Sequence, residues 1–151
     1  MREVKLRCDG IWPPALPFFM LILLIPACSP SVAPFSETAY QQAVELKVDS
    51  MELMAKATES FEDHKSEVAE IRHNMLVAYE YADGRPDNEL STQQWEIMKD
   101  PDRNLFGGFL ARWGEEDSLN ETFIEEASKL VREAFDNIIG LESGKVSPDD
   151  I

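Results

Sequence analysis

Glu70 and His73 stand three residues apart in Glu70-Ile71-Arg72-His73. That spacing puts two metal ligands on one face of a helix, as in dinuclear carboxylate sites. A full site needs a second such pair and two further glutamates. The only other histidine is His64, in His64-Lys65-Ser66-Glu67, so one chain cannot complete the set, although a symmetric dimer can. The competing reading is a charged helix surface. Asp100-Pro101-Asp102-Arg103-Asn104 has the opening of a calcium loop. Its sixth position is Leu105 where glycine is wanted, and its twelfth is Ala111 where glutamate is wanted. A helix N-terminus with acids complementing the dipole explains it more simply. Met51 and Met54 have the sulfur chemistry for a soft metal, yet they also fall on an expected core face, where methionine fills gaps. Glu59, Glu62 and Asp63 read as a solvated face rather than an acid/base pair, since nothing predicts a cleft around them. No Ser/His/Asp arrangement or phosphate loop is found. The expectation is a non-catalytic protein with no cofactor.

The chain has two cysteines, Cys8 and Cys28, too few for a disulfide scaffold or a four-thiolate zinc site. Their surroundings suggest a different chemistry. Arg2, Lys5 and Arg7 outweigh Glu3, and an apolar run follows from Ala15 to Ile25. That run is shorter than the ~20 residues of a membrane-spanning helix and has the length of a signal-peptide core. Pro13, Pro14 and Pro17 argue further against a longer membrane helix. Ile25-Pro26-Ala27-Cys28 resembles the lipobox of bacterial lipoproteins: aliphatic three before the cysteine, small just before it. Pro26 departs from the usual Ala, Ser or Thr. The resemblance covers the first 29 residues only. It implies cleavage between Ala27 and Cys28, with the Cys28 sulfur accepting a diacylglyceryl group as a nucleophile. Lipidation on Cys28 would anchor the chain to the membrane, since several acyl chains hold where one is marginal. Ser29 rather than Asp after the cysteine implies an outer membrane, with the domain facing the periplasm of the cell envelope. An uncleaved anchor, or simple secretion with cleavage near Ala27 or Ala33, are the competing readings. If the lipobox is processed, Cys8 leaves and no free thiol remains.

Charge narrows the partners. The 151 residues carry a net charge of −15. Residues 1–27 hold three basic and two acidic groups, so of the 14 and 29 in the whole chain, 11 and 27 remain, net −16. A basic nucleic-acid footprint is absent, so no nucleic-acid partner is expected. The acidity favours solubility and stand-off from anionic lipid. A hydrophobic fraction of 44% argues against a wholly disordered chain.

The remaining pattern divides the chain into a signal (1–27), a lipidated cysteine and tether (28–35), a helical domain (36–140) and a flexible tail (141–151). From Phe35 to Asp83 there is neither glycine nor proline, whereas the rest is punctuated often. This predicts one long helix over about 37–82, capped by Ser36 and stopped at Gly84-Arg85-Pro86. Such a helix would be about 70 Å long, against a radius of gyration near 14 Å for a compact domain of this size. It must therefore protrude, pair with another chain, or break, the favoured point being Thr58-Glu59-Ser60. Shorter helices are expected over about 92–99, 101–113 and 119–139, opened by capping boxes at Ser91 and Ser118, and by Asp100-Pro101. Lys65 and Arg72 fall where a strict heptad would be apolar, which suggests ordinary helical drift rather than a coiled-coil seam. The predicted fold class is all-α, a small helical bundle.

Phe106-Gly107-Gly108-Phe109-Leu110 is the most unusual stretch of the domain. Its glycines permit close backbone approach. It reads either as a tight packing joint or as an exposed patch that docks a partner. Trp95 and Trp113 flank it and divide the same way. The functional expectation is a membrane-anchored envelope lipoprotein whose acidic domain binds another envelope protein or itself. The alternative is a helical bundle that binds a small ligand or metal.

Overall fold

The computed structural model describes residues 32–147. Five α-helices and one 3₁₀ turn make up the fold, and no strand occurs among the described residues. They are α1 (Glu37–Ala55), the 3₁₀ turn (Phe61–His64), α2 (Lys65–Asp83), α3 (Glu89–Lys99), α4 (Phe106–Glu116) and α5 (Glu121–Glu142). The all-α class therefore holds. None of these helices is long and apolar enough to cross a membrane.

The single helix expected over 37–82 is corrected to two helices of 19 residues each, joined by a turn. The break falls at the expected place, but the Ser60 side chain does not cap the 3₁₀ turn after it. Instead its hydroxyl donates to Asp117 Oδ1 at 2.8 Å. Two backbone bonds from the α4–α5 connection fix the turn: Phe61 N–H to Asp117 O and Leu119 N–H to Ala57 O, both 2.8 Å. The physical reason is burial. One straight helix would leave two apolar stripes in water. Folding α2 back on α1 lets Val68, Ile71 and Met75 join Leu46, Leu53 and Met54 in one core, at about 1.5–3 kcal/mol per large side chain removed from water.

Neighbouring helices close a ring. α1 packs on α2, α2 on α3, α3 on α5, and α5 back on α1. α3 and α4 share the fourth side: α3 begins beside the N-terminal end of α1, and α4 reaches the 3₁₀ turn at the other. Trp95 lies edge-on to Phe135, and Trp113 edge-on to Phe61. Both indoles are core anchors, with Trp113 Nε1 donating to the carbonyls of Glu59 and Asp117 at 3.1 Å.

Several boundaries move. α3 starts at Glu89, so Ser91 is a buried helix residue rather than a cap. α4 starts at Phe106, and Asp100 turns the preceding loop by accepting from Asp102 N–H at 2.9 Å. Gly114 does not end α4, which closes at Asp117 with φ 65°. Asn120, not Ser118, caps α5 by accepting from Phe123 N–H at 2.9 Å. Gly140 does not close α5. The helix runs to Glu142, with Leu141 and Glu142 buried, and the chain then turns so that the Lys145 and Val146 amides donate to Gly140 O. The predicted tail therefore belongs to the fold as far as these residues.

Candidate functional site

The most elaborated polar cluster sits where the chain enters the domain. Four segments meet there: residues 33–36, the end of α2, the start of α3 and the end of α5. Asn88 precedes α3 and is buried. Its Oδ1 accepts from Ala33 N–H at 3.1 Å, and its Nδ2 donates to Ala82 O at 3.0 Å. Both ends of one amide are thus used to tie the entering segment to α2. Its backbone carbonyl takes bonds from the Thr92 amide and hydroxyl, which starts α3.

Arg85 completes the clasp. One guanidinium nitrogen donates to Pro34 O and the other pairs with Glu142 Oε2. Glu142 is 1% exposed, and its Oε1 has no hydrogen-bond partner among the described residues. A buried carboxylate is tolerated when a charge partner compensates its lost hydration. Ser36 supplies a further tie: its Oγ accepts from Ala39 N–H, capping α1, and lies 3.0 Å from Tyr81 Oη. The tether expected over 28–35 therefore does not extend to Phe35. From Ala33, itself buried, the chain is part of the fold. Beside this clasp Phe35 stands 63% exposed, 6.2 Å from the Tyr40 ring centre, and Tyr81 is also exposed.

Ala27 and Cys28, the expected cleavage and lipidation residues, lie outside the described residues. Phe106, Phe109 and Leu110 are buried, as is Gly107. The exposed docking patch is thus corrected to a packing joint. A Cβ on Gly107 would meet Lys99 O at 2.3 Å, and one on Gly108 would meet Arg103 O at 1.8 Å. These glycines let α4 start against the end of α3, and the apolar residues beside them turn inward. Glu70 and His73 are exposed on α2. His64 is buried on Trp113, its Nε2 2.8 Å from Glu59 Oε2. Met54 is fully buried and Met51 partly so. Among the described residues no three His, Cys, Asp or Glu side chains converge as a metal site would require.

Sequence reasoning missed Arg85, Asn88 and Glu142. One signal was present. Val131, Phe135, Ile138 and Glu142 are spaced by three or four, so Glu142 continues the core stripe of α5. A glutamate in that register needs a buried partner.

An open groove of about 560 Å³ lies between the 101–105 loop, α4 and α5. Leu105, Phe109, Phe123 and Leu130 line it, and Arg112 lies over the Phe123 ring at 4.0 Å. Leu130 is half exposed. No protein-family model, curated protein or solved structure matches the chain.

Proposed function

We propose that this protein is a lipid-anchored component of the bacterial cell envelope, with a non-catalytic acidic helical domain that binds protein. Cys28 carries the lipid, the outer membrane holds it, and the domain faces the periplasm. The observation that carries this reading is Ile25-Pro26-Ala27-Cys28, behind a basic and apolar leader. The clasp at Ala33–Ser36 supports it, because it joins the domain to a short lead from that cysteine. A groove with an apolar floor and a half-exposed Leu130 suits an amphipathic segment of another envelope protein or of a second copy.

Mass spectrometry of the mature N-terminus tests the anchor. The expected result is a diacylglyceryl-modified Cys28, lost in Cys28→Ser together with membrane retention. Unchanged retention in that variant would remove the anchor from the proposal. Site-directed crosslinking from Leu130 tests the protein-binding role: a crosslinked partner or dimer is expected, and a strictly monomeric, uncrosslinked protein in cells would count against it.

The groove's volume also favours a second reading, a small-ligand site, since ligand pockets occupy about 300–1,000 Å³. Native mass spectrometry of the purified protein separates the two, through a bound small molecule in place of a protein partner.

A further inference from the structure

We infer that the clasped end of the domain rests in the headgroup layer of the bilayer through Phe35, Tyr40 and Tyr81, which makes this aromatic cluster a lipid-contact site. The inference rests on the lipid anchor at Cys28 proposed above.

Chain geometry sets the orientation. Ala33 is fixed to Asn88, Pro34 to Arg85, and Ser36 to Tyr81. Only five residue steps separate Cys28 from Ala33, and they reach at most about 18 Å. The opposite end of the domain, at Ala57 and Leu119, lies a further ~28 Å away along the 19 residues of α1. The end that carries residues 33–36 is therefore held nearest the lipid.

That end has the chemistry of an interface. Phe35 is the most exposed large apolar side chain among the described residues, and Tyr40 flanks it. Tyr81 adds a second amphipathic ring, its hydroxyl on Ser36. Aromatic rings of this kind settle at the level of lipid headgroups, one part apolar and one part wet. The surroundings are acidic: Glu37, Glu80, Asp83 and Asp87 are all exposed nearby. They repel anionic lipid, so the cluster selects a zwitterionic surface.

The experiment uses the full-length lipidated protein in vesicles of phosphatidylethanolamine and phosphatidylcholine. Fluorophores are placed singly by Thr38→Cys, in the first turn of α1, or Ser118→Cys, at the far end. Both positions are exposed. Headgroup-labelled quencher lipids read proximity, and mass spectrometry reads the lipid on Cys28 in the same samples. Quenching is expected to be at least about threefold stronger from the first position than from the second. Phe35→Ser should lower it by about threefold, with helical circular dichroism unchanged because the ring packs little against the core. Adding phosphatidylglycerol should lower it as well.

Equal quenching at both positions with Cys28 lipidated would overturn the inference and leave the anchor standing. Strong quenching that survives Phe35→Ser and ignores phosphatidylglycerol would also overturn it, leaving the tether alone to hold that end down. An unmodified Cys28 would overturn the anchor and the inference together.

Discussion

Gly107 and Gly114 belong to one helix and make opposite demands. A methyl on Gly107 meets the backbone of Lys99 and Asp100 at 2.3–2.6 Å, which cannot yield without separating α3 from α4. Gly107→Ala should therefore destabilise by about 1–3 kcal/mol, the usual range for overpacking. A methyl on Gly114 meets only the Phe61 ring at 3.5 Å, an ordinary contact. Gly114→Ala should stabilise by about 0.5–1 kcal/mol, because alanine restricts the unfolded chain. Urea unfolding of both variants checks the pair. The sequence made the glycines conspicuous but not their opposite roles, which depend on the Lys99–Asp100 backbone in one case and the Phe61 ring in the other. The Arg85–Glu142 pair was hidden for a similar reason: 57 residues separate its members. Arg85→Met strands a buried carboxylate and should cost about 3–5 kcal/mol. Arg85→Met with Glu142→Leu should recover most of that loss, since the unpaired charge, not the missing bond, dominates it.

Elements obey longer-range constraints. Nothing local forces the break between α1 and α2: no glycine or proline lies from Phe35 to Asp83, and the apolar spacing continues across it. The residues that hold it, Asp117 and Leu119, come from the α4–α5 connection. For that reason the apolar faces were readable but the turn between them was only a favoured site. Asn120 caps α5 in place of the expected Ser118 by accepting from Phe123 N–H. Asn120→Ala should cost about 1 kcal/mol. One ion pair spans the break itself, Lys56 Nζ to Glu67 Oε2 at 2.7 Å. The hydrogen bond from Lys56 holds the Glu67 carboxyl below its ordinary value of 4.5, and the same bond raises Lys56. The Glu67 share of stability is thus complete above pH 4.5 and is lost as pH falls through the lowered folded-state value. The Lys56 share is complete below 10.5 and is lost as pH rises past it. Glu67→Gln should lower the urea midpoint slightly at neutral pH, as expected of a half-exposed pair. At strongly acid pH the two proteins should converge.

The whole molecule carries a charge imbalance that no local pairing removes. The all-α class and the acidity were both readable from the sequence, because each is a sum over many residues. The clasped end was not, because it is made by four segments meeting. Salt acts on both the repulsion and the pairs. Lys65–Glu62, Arg112–Glu116 and Lys129–Glu125 are exposed neighbours on the same helix or, for Glu62, on the 3₁₀ turn before it, and such pairs contribute little each. Screening them costs stability. Screening the excess acids restores it, and acids outnumber bases by 27 to 11 beyond residue 27. With more than two acids per base, repulsive encounters across the ring outnumber attractive ones in the folded state, and unfolding relieves them. Raising sodium chloride from low millimolar to about 0.5 M shrinks the screening length to a few ångströms. The thermal midpoint should therefore rise, by an amount equivalent to roughly 1 kcal/mol. A fall on adding salt would instead mean that the exposed local pairs outweigh the repulsion, since the buried Arg85–Glu142 pair is screened little. The same rise should persist in Arg85→Met with Glu142→Leu, because removing a buried pair leaves the acidic surface as it was.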